Sequence, residues 1–347
     1  MCPSNSDKYR LQALPNKGFG LVATRDIQES ELLIAESPLL KVELSPEGDL
    51  VGKFCTAKRE FISPALVQVL NKLPDNDLFK FYTLSDSCSA NLAQEHGLHD
   101  LQKAYKTNFG IMKTNSFSME FENQTYLTLF PTISRLNHSC QPNCNHYWSG
   151  SYFKVRAIKP ISAGEELTIS YMSPLQRADF HSRQSRRKIL SEEFGFECGC
   201  NLCSSAELYQ MVDQNDTDRI ELLQIEQEWV HLGQEPRKAL HLAQKQLDIG
   251  QRLDLHAGLL AYIALHCVEA ASCVVTRKIS EAEAGAMRQT SLQYSQLAQK
   301  YGNVAYGSLS YESEVYANLY EACQNTSDSQ LFSTVQTYIS KLRDNLV

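Results

Sequence analysis

The sequence predicts an α+β fold in which a β-rich N-terminal part precedes an all-α C-terminal part built of helical hairpins. Short apolar segments separated by glycine and proline recur up to residue 171, a pattern typical of strands. Beyond residue 203 the apolar positions recur every three or four residues, as in amphipathic helices. We therefore expect two domains, residues 1–204 and residues 205–347.

The β-rich part opens with a glycine turn. Residues 17–23 (KGFGLVA) place two glycines before an apolar strand, and further strands are expected over residues 31–35 and 39–44. From residue 63 to residue 84 the spacing becomes helical. We interpret a stretch of the chain, residues 45–110, as a helical insert within the β-rich domain.

Strand signals return after the insert. Between residues 115 and 133 the apolar Phe117 and Met119 alternate with polar neighbours. Two more strands are expected over residues 152–158 and 166–171, with a proline and a glycine marking the turn between them.

In the C-terminal part, the spacing predicts a series of amphipathic helices with short connections. Apolar positions within residues 287–301 follow intervals of four and three, and Gly302 is interpreted as the stop of this helix. The most apolar stretch, residues 259–275, contains His266 and Glu269. We interpret it as a buried helix rather than a membrane span.

Charge and composition exclude several classes of partner. The net charge of −7 gives no general attraction to phosphate, so no direct nucleic-acid binding is expected. The basic run at residues 183–188 is interpreted as a solvated helix face beside Glu192 and Glu193. Residues 1–20 contain no apolar segment of signal-peptide length. We expect a monomer without membrane association, in the cytoplasm, the nucleus or both.

In a chain whose first residues do not resemble a signal peptide, the eleven cysteines favour metal binding over a disulfide framework. Cys198, Cys200 and Cys203 form a dense cluster, and thiolates are preferred ligands of tetrahedral structural zinc. A fourth ligand must come from elsewhere, and Cys140 and Cys144 are the candidates because both lie in a turn-rich stretch. Buried free cysteines and a redox pair are the alternatives. A redox pair usually accompanies a βαβ unit, which the sequence does not predict.

Five short motifs follow one another along the β-rich part. They are KGFGLVA at 17–23, NSF at 115–117, NHSC at 137–140, EELTISY at 165–171 and FECGCNLC at 196–203. In this order they resemble the SET-domain lysine methyltransferases, and their spacing is most similar to the SET-and-MYND subclass. The resemblance covers residues 8–205 and identifies residues 196–203 as the post-SET zinc segment.

The resemblance implies a role for individual residues of these motifs. S-adenosylmethionine would be the methyl donor, with binding residues Lys17, Gly18, Phe19, Gly20, Asn115, Asn137, His138, Tyr171 and Phe196. The catalytic residues would be Tyr171, with its hydroxyl toward the transferring methyl, and Phe117, which would line the lysine channel. An apolar channel would favour the neutral, nucleophilic amine by lowering the pKa of the lysine. One structural zinc ion would be bound by Cys140, Cys198, Cys200 and Cys203.

The chain departs from the subclass at the MYND finger. Only Cys55 and Cys88 lie between residues 41 and 110, too few to bind the zinc ions of such a finger. The predicted helical insert would replace the finger. We therefore do not expect this chain to make the partner or DNA contacts that a MYND finger makes.

Other functions are also compatible with the sequence. The expected substrate is a protein or peptide carrying a lysine, with the C-terminal hairpins closing one wall of its cleft. The acceptor could instead be a small molecule, or the helical part could be a non-catalytic interaction module on a SET scaffold. His138 has a competing interpretation as a general base. Glu165 and Glu166 are not an acid/base pair flanking one bond, because neighbouring strand residues point to opposite faces.

Overall fold

The computed structural model describes residues 6–43, 64–86, 108–121, 124–149, 151–172, 181–204, 209–231 and 234–346. Residue 205, where the domain boundary is predicted, lies outside the described residues. So do Cys55, Cys88 and most of the predicted insert.

Short strands dominate the described residues up to position 172. They are β1 (Tyr9–Leu14), β2 (Gly18–Ala23), β3 (Leu32–Glu36), β4 (Leu40–Glu43), β5 (Ser116–Phe121), β6 (Gln124–Leu129), β7 (Asn137–His138), β8 (Cys144–Ser149), β9 (Tyr152–Ala157) and β10 (Thr168–Ile169). β1 and β2 form an antiparallel hairpin, and two antiparallel sheets have the orders β3-β9-β8 and β4-β6-β5. β7 and β10 form a parallel pair.

Alternation of side chains explains why these segments are strands. In β9, Phe153, Val155 and Ala157 are buried, and the residues between them are partly exposed. β8 was not predicted, because both of its faces are covered. Tyr147 packs into the helical core on one face, and Trp148 packs against the β-rich core on the other.

The predicted strand over residues 166–171 is too long, since only Thr168–Ile169 form a strand there. Residue 115 is also not in a strand. It ends a helix, and β5 begins at the next residue.

Helices occupy the insert and the C-terminal half. They are α1 (Pro64–Leu70), α2 (Asp75–Thr83), α3 (Asn108–Asn115), α4 (Arg183–Phe194), α5 (Asn201–Ser204), α6 (Tyr209–His231), α7 (Pro236–Arg252), α8 (Ala257–Val275), α9 (Glu281–Tyr306), α10 (Tyr311–Asn325) and α11 (Asp328–Leu346). The Ser280 and Ser310 hydroxyls accept hydrogen bonds from backbone N–H groups of the first turns of α9 and α10, which starts each helix.

The expected stop at Gly302 is wrong. Helix α9 continues to Tyr306 and ends at Gly307, whose φ of 85° favours glycine. A Cβ at residue 302 would lie 2.5 Å from the ring of Tyr316 on α10, so this glycine permits close helix packing instead.

Helix α8 confirms the interpretation of the apolar stretch as a buried helix. It is long and apolar enough to cross a membrane, yet 72% of its most apolar window is buried inside the protein. Residues of α7, α9, α10 and α11 surround it, and Ala261, Ala264 and Val268 are fully buried. Helical packing therefore accounts for its hydropathy.

The β-rich part contacts the helices through the C-terminal end of α9. Carbonyl groups of residues 303–306 accept hydrogen bonds from Ser30 at 2.9 Å, from Asn145 at 3.1 Å, and from the hydroxyl of Tyr147. The last carbonyls of a helix have no partner within the helix. Side chains of the β-rich part supply such partners at the end of α9 and help to hold the helical half against the sheets.

Candidate functional site

The parallel pair β7–β10 brings two of the sequence motifs side by side. Asn137 is in register with Thr168, and His138 with Ile169. The backbone N–H of Ser139 donates to the Ile169 carbonyl at 3.0 Å, which extends the pair. Residues 137–140 and 165–171 therefore form one local unit although they are distant in sequence.

His138 is buried between Tyr171 and the cysteine cluster. Its Nδ1 accepts a hydrogen bond from the Tyr171 backbone N–H at 3.0 Å. Its Nε2 lies 3.3 Å from the Cys140 Sγ. An Nδ1 that accepts implies a neutral ring with its proton on Nε2. Both ring nitrogens are engaged, so the geometry does not favour His138 as a general base.

The glycine turn packs directly on this unit. A Cβ at Gly20 would lie 2.7 Å from Asn137 Nδ2 and 3.0 Å from Glu166 Oε1. Asn137 Nδ2 donates to Glu166 Oε1 at 2.8 Å, and Lys17 pairs with Glu166 Oε2 at 2.7 Å. Gly18 has a φ of 71° and Phe19 is 54% exposed at the tip of the turn. Glycine is thus required where the turn meets Asn137.

Glu166 was missed by the sequence reasoning, which considered Glu165 and Glu166 only as an acid/base pair and rejected that role. The structure makes Glu166 the common acceptor for Lys17 and Asn137. No signal in the sequence distinguished it from a surface carboxylate.

Tyr171 follows β10 and lies among aromatic rings. Its ring centroid is 5.4 Å from that of His138, 5.5 Å from Phe194 and 6.1 Å from Phe196. Its hydroxyl donates to the Leu136 carbonyl at 2.8 Å. Burial, and secondarily the charge of Glu166, raise the pKa of Tyr171, so the phenol stays protonated at neutral pH.

Phe117 and Asn115 have different surroundings. The Phe117 ring is 5.0 Å from Phe153 and 5.8 Å from His146, both edge-on, and it is partly exposed. Asn115 is buried, and its Nδ2 donates to the carbonyls of Ile111 and Ser85, both at 2.7 Å. These bonds end α3 just before Phe117. The expected cofactor contact of Asn115 stays a prediction.

The cysteine cluster is compact and buried. The Sγ atoms of Cys140, Cys198, Cys200 and Cys203 all lie within 4.8 Å of one another. Cys144 does not join them, since it packs in the β-rich core and its thiol donates to Asn143 Oδ1 at 3.4 Å. Four converging thiols are a donor set that suits zinc. The geometry thereby selects Cys140 between the two candidates for the fourth position.

Asn143 is a second residue that the sequence reasoning missed. Its Nδ2 donates to the Glu166 carbonyl at 2.8 Å and to Glu165 Oε1 at 3.1 Å. Its Oδ1 accepts from the Thr168 backbone N–H at 2.8 Å. Asn143 therefore holds the turn after Cys140 onto the segment that leads to Tyr171. The only available signal was a short polar residue following proline in a turn.

A cavity of about 220 Å³ lies between the β-rich part and the helices. It is lined by Pro142 and Ile158 on one side and by residues of α8 and α9 on the other. Neither Tyr171 nor Phe117 lines it. The expected substrate cleft beside the helices stays a prediction.

The chain is similar in sequence to proteins of known class. Residues 18–172 match the family model described as SET domain. Histone-lysine N-methyltransferase set5 of Schizosaccharomyces pombe is 27% identical over 210 residues, covering 60% of this chain and 54% of that protein. Histone-lysine N-methyltransferase SMYD3 of Homo sapiens is 42% identical over 79 residues, covering 23% of this chain and 17% of that protein.

A third relative, N-lysine methyltransferase SMYD2-B of Xenopus laevis, is 33% identical over 101 residues, covering 28% of this chain and 22% of that protein. The matched segments span 54% of set5 and a smaller share of the other two proteins. These findings confirm the predicted SET fold and the resemblance to SET-domain lysine methyltransferases.

Proposed function

We propose that this chain, which contains a SET domain at residues 18–172, is a methyltransferase that transfers a methyl group from S-adenosylmethionine to a lysine side chain of a protein. The observation that carries the proposal is the β7–β10 pair, which sets Asn137 and His138 beside Tyr171 and beneath the glycine turn. The names of the relatives support the same reaction class.

The cofactor side of the proposal rests on the shape of the glycine turn. Because a Cβ at Gly20 would collide with Asn137, the backbone of the turn lies closer to Asn137 than any residue other than glycine would permit. The residues proposed to bind the cofactor are Lys17, Gly18, Phe19, Gly20, Asn115, Asn137, His138, Tyr171 and Phe196. S-adenosylmethionine supplies an electrophilic methyl group on a sulfonium. In this arrangement Phe196, next to Tyr171, offers a flat apolar surface to its adenine.

Tyr171 has the properties of an orienting group rather than a base. Its only proton is donated to the Leu136 carbonyl, so its hydroxyl oxygen can act toward a ligand as an acceptor. Its raised pKa opposes ionisation, which excludes a phenolate at neutral pH. Tyr171 therefore positions the amine and stabilises positive charge near the methyl. The Phe117 wall would favour the neutral form of the lysine.

Cys140, Cys198, Cys200 and Cys203 would bind one structural zinc ion, which would hold residues 196–203 against the NHSC turn. We propose a division near residue 205 into the SET domain and a helical domain that helps to bind a protein or peptide substrate. The protein would act as a monomer in the cytoplasm or the nucleus.

The first test is calorimetric binding of S-adenosylhomocysteine to the full chain, with zinc content measured on the same sample. We expect binding and one zinc ion per chain. Transfer of radiolabelled methyl from S-adenosylmethionine to histones and to fractionated cell proteins then follows as the activity assay. Labelling of protein that yields methyl-lysine on hydrolysis would support the proposed acceptor.

The Tyr171→Phe variant separates chemistry from binding. It should lose about 100-fold or more in turnover, a size typical of losing one polar group at the reacting centre, with nearly unchanged affinity for S-adenosylhomocysteine. Tyr152→Phe is the matched control, since Tyr152 is 48% exposed. Wild-type turnover in Tyr171→Phe would refute the catalytic role of Tyr171. Absence of S-adenosylhomocysteine binding in the unaltered chain would refute the proposed function.

A further inference from the structure

Two fully buried arginines lie beside the cysteine cluster. Arg186 is 0% exposed on α4, and Arg219 is 1% exposed on α6. A buried guanidinium is costly unless it is paired and hydrogen-bonded, and arginine is almost never fully buried otherwise. The basic run at residues 183–188 is thus not an entirely solvated helix face, since its central arginine points into the protein.

Arg186 contacts three separate parts of the chain. Its Nη1 donates to the His181 carbonyl at 2.6 Å and lies 3.8 Å from Asp216 Oδ1 on α6. Leu190, one turn further along α4, packs among the four cysteines, and the Arg186 guanidinium is close enough to the Cys140 and Cys203 thiols to interact with them electrostatically. Its Nε is buried and has no partner among the described residues. Arg186 therefore has a buried N–H donor that no described residue satisfies.

Arg219 approaches the cluster from the helical half. Its Nε donates to Asn215 Oδ1 at 2.8 Å. It lines the same small cavity as Cys140, at the junction of the NHSC turn with the helices. Two positive side chains from two helices thus flank one group of thiols.

The charge of the proposed metal site explains this arrangement. Four thiolates and one Zn²⁺ leave a net charge of minus two, in a cluster whose cysteines are all buried. Such a dianion requires compensating charge or hydrogen-bond donors around its sulfur atoms. The ion pair with Asp216 does not by itself compensate the burial of the Arg186 charge, because the two side chains are 3.8 Å apart and Asp216 is partly exposed.

We propose that Arg186, assisted by Arg219, is the counter-charge of the zinc–tetrathiolate group and a positioning residue that sets its metal affinity. The inference rests on the zinc site that forms part of the proposed function. Because Asp216 also accepts the backbone N–H of Arg183 at the start of α4, the same contacts tie the zinc-binding segment to helix α6. Zinc binding would then stabilise the junction between the SET domain and the helices.

The test measures zinc affinity in the full chain by competition with a chromophoric chelator of known affinity. Arg186→Met removes the charge while keeping an unbranched side chain, and Arg186→Lys keeps the charge but loses the planar fork. We expect Arg186→Met to weaken zinc binding by about 10–100-fold, the usual effect of losing a residue that supports metal ligands. The zinc affinity of Arg186→Lys should lie between that of Arg186→Met and that of the unaltered chain.

Two controls separate charge from structure. Lys188→Met removes an exposed charge from the same helix and should leave zinc affinity unchanged. Leu190→Ala creates a cavity among the residues packed on the cysteines, so it should lower thermal stability with little effect on zinc affinity. Absorption of the cobalt-loaded protein shows whether all four thiolates still bind in each variant.

Zinc affinity of Arg186→Met equal to that of the unaltered chain, or to that of Leu190→Ala, would overturn the inference. If Arg186→Met does not fold, zinc affinity is measured in Arg219→Met, where it should also be weakened. Unaltered zinc affinity in both Arg219→Met and Arg186→Lys would then overturn the inference. An unaltered chain that binds no zinc would instead refute the zinc site of the proposed function.

Discussion

The glycine turn offers the sharpest test of the site geometry, through the substitution Gly20→Ala. The added methyl would lie 2.5 Å from Leu14 Cδ1, 2.7 Å from Asn137 Nδ2 and 3.0 Å from Glu166 Oε1. The end of the leucine side chain can turn away at little cost. The amide of Asn137 cannot, because it donates to Glu166 at 2.8 Å and to the Phe19 carbonyl at 3.3 Å.

The magnitude follows from the groups that must move. Inserting a methyl into a packed site costs about 1–3 kcal/mol. If Asn137 moves away instead, the lost hydrogen bond to the Glu166 carboxylate costs a similar amount, about 1.5–3 kcal/mol for a bond to a charged group, so the two costs are alternatives and do not add. Since about 1.4 kcal/mol is a factor of ten in affinity, we expect Gly20→Ala to weaken S-adenosylhomocysteine binding by about 10–100-fold.

Calorimetry with S-adenosylhomocysteine and urea unfolding of the same samples measure the two effects. Gly285→Ala is the matched control, because a Cβ there meets nothing within 4 Å and alanine favours the helix. An affinity within a factor of two of the unaltered chain, with unchanged stability, would show that Asn137 is not held against the turn as described.

Three further predictions concern stability. Tyr147→Phe removes the hydroxyl that donates to the Tyr306 carbonyl at the end of α9, and urea unfolding should show a loss of about 1 kcal/mol. Gly302→Ala places a methyl 2.5 Å from the Tyr316 ring, and we expect a loss of about 1–3 kcal/mol in the same measurement. Burial, with a smaller effect of the His256 charge, lowers the pKa of His146 to about 4. The unfolded chain therefore binds a proton at His146 more tightly than the folded chain does. The contribution of His146 to the free energy of unfolding is present above pH 6.5 and is lost as the pH falls toward 4. His146→Phe should abolish this pH dependence.

Matched variants make these three results interpretable. Tyr152→Phe removes an exposed hydroxyl and should be neutral, so an equal loss in both tyrosine variants would contradict the role of the α9 contact. Gly302→Ala and Gly285→Ala should change stability in opposite directions, and two equal changes would mean that Tyr316 can move away. For His146, urea unfolding at pH 7 and pH 5 is the measurement. A pH dependence that persists in His146→Phe would assign it to other groups.

Much of the fold was evident from local patterns. The glycine turn and β2, the buried helix α8, and the helical C-terminal half all follow from periodicity and turn chemistry. These features depend on residues within one helix or strand, so neighbours in sequence suffice to specify them. The SET fold was predicted from the resemblance that the five motifs, in their order, bear to the SET-domain methyltransferases.

Residues whose roles depend on distant contacts were not predictable in the same way. Gly302 has the same signature as a helix stop, but its neighbour Tyr316 makes it a packing glycine. Glu166 and Arg186 look like surface charges in sequence, yet one joins Lys17 to Asn137 and the other is buried beside the thiols. Their roles arise from burial and charge balance, which no local pattern encodes.

The choice of the fourth cysteine shows the same division. The sequence by itself showed three thiols within residues 198–203 and offered Cys140 and Cys144 as candidates for a fourth ligand, of which the resemblance to the SET-domain methyltransferases implied Cys140. The tertiary structure gives the physical reason for that choice: the NHSC turn after β7 brings Cys140 to the cluster, whereas Cys144 at the start of β8 packs in the β-rich core. Ligand type is a property of the residue, whereas convergence on one point is a property of the folded chain.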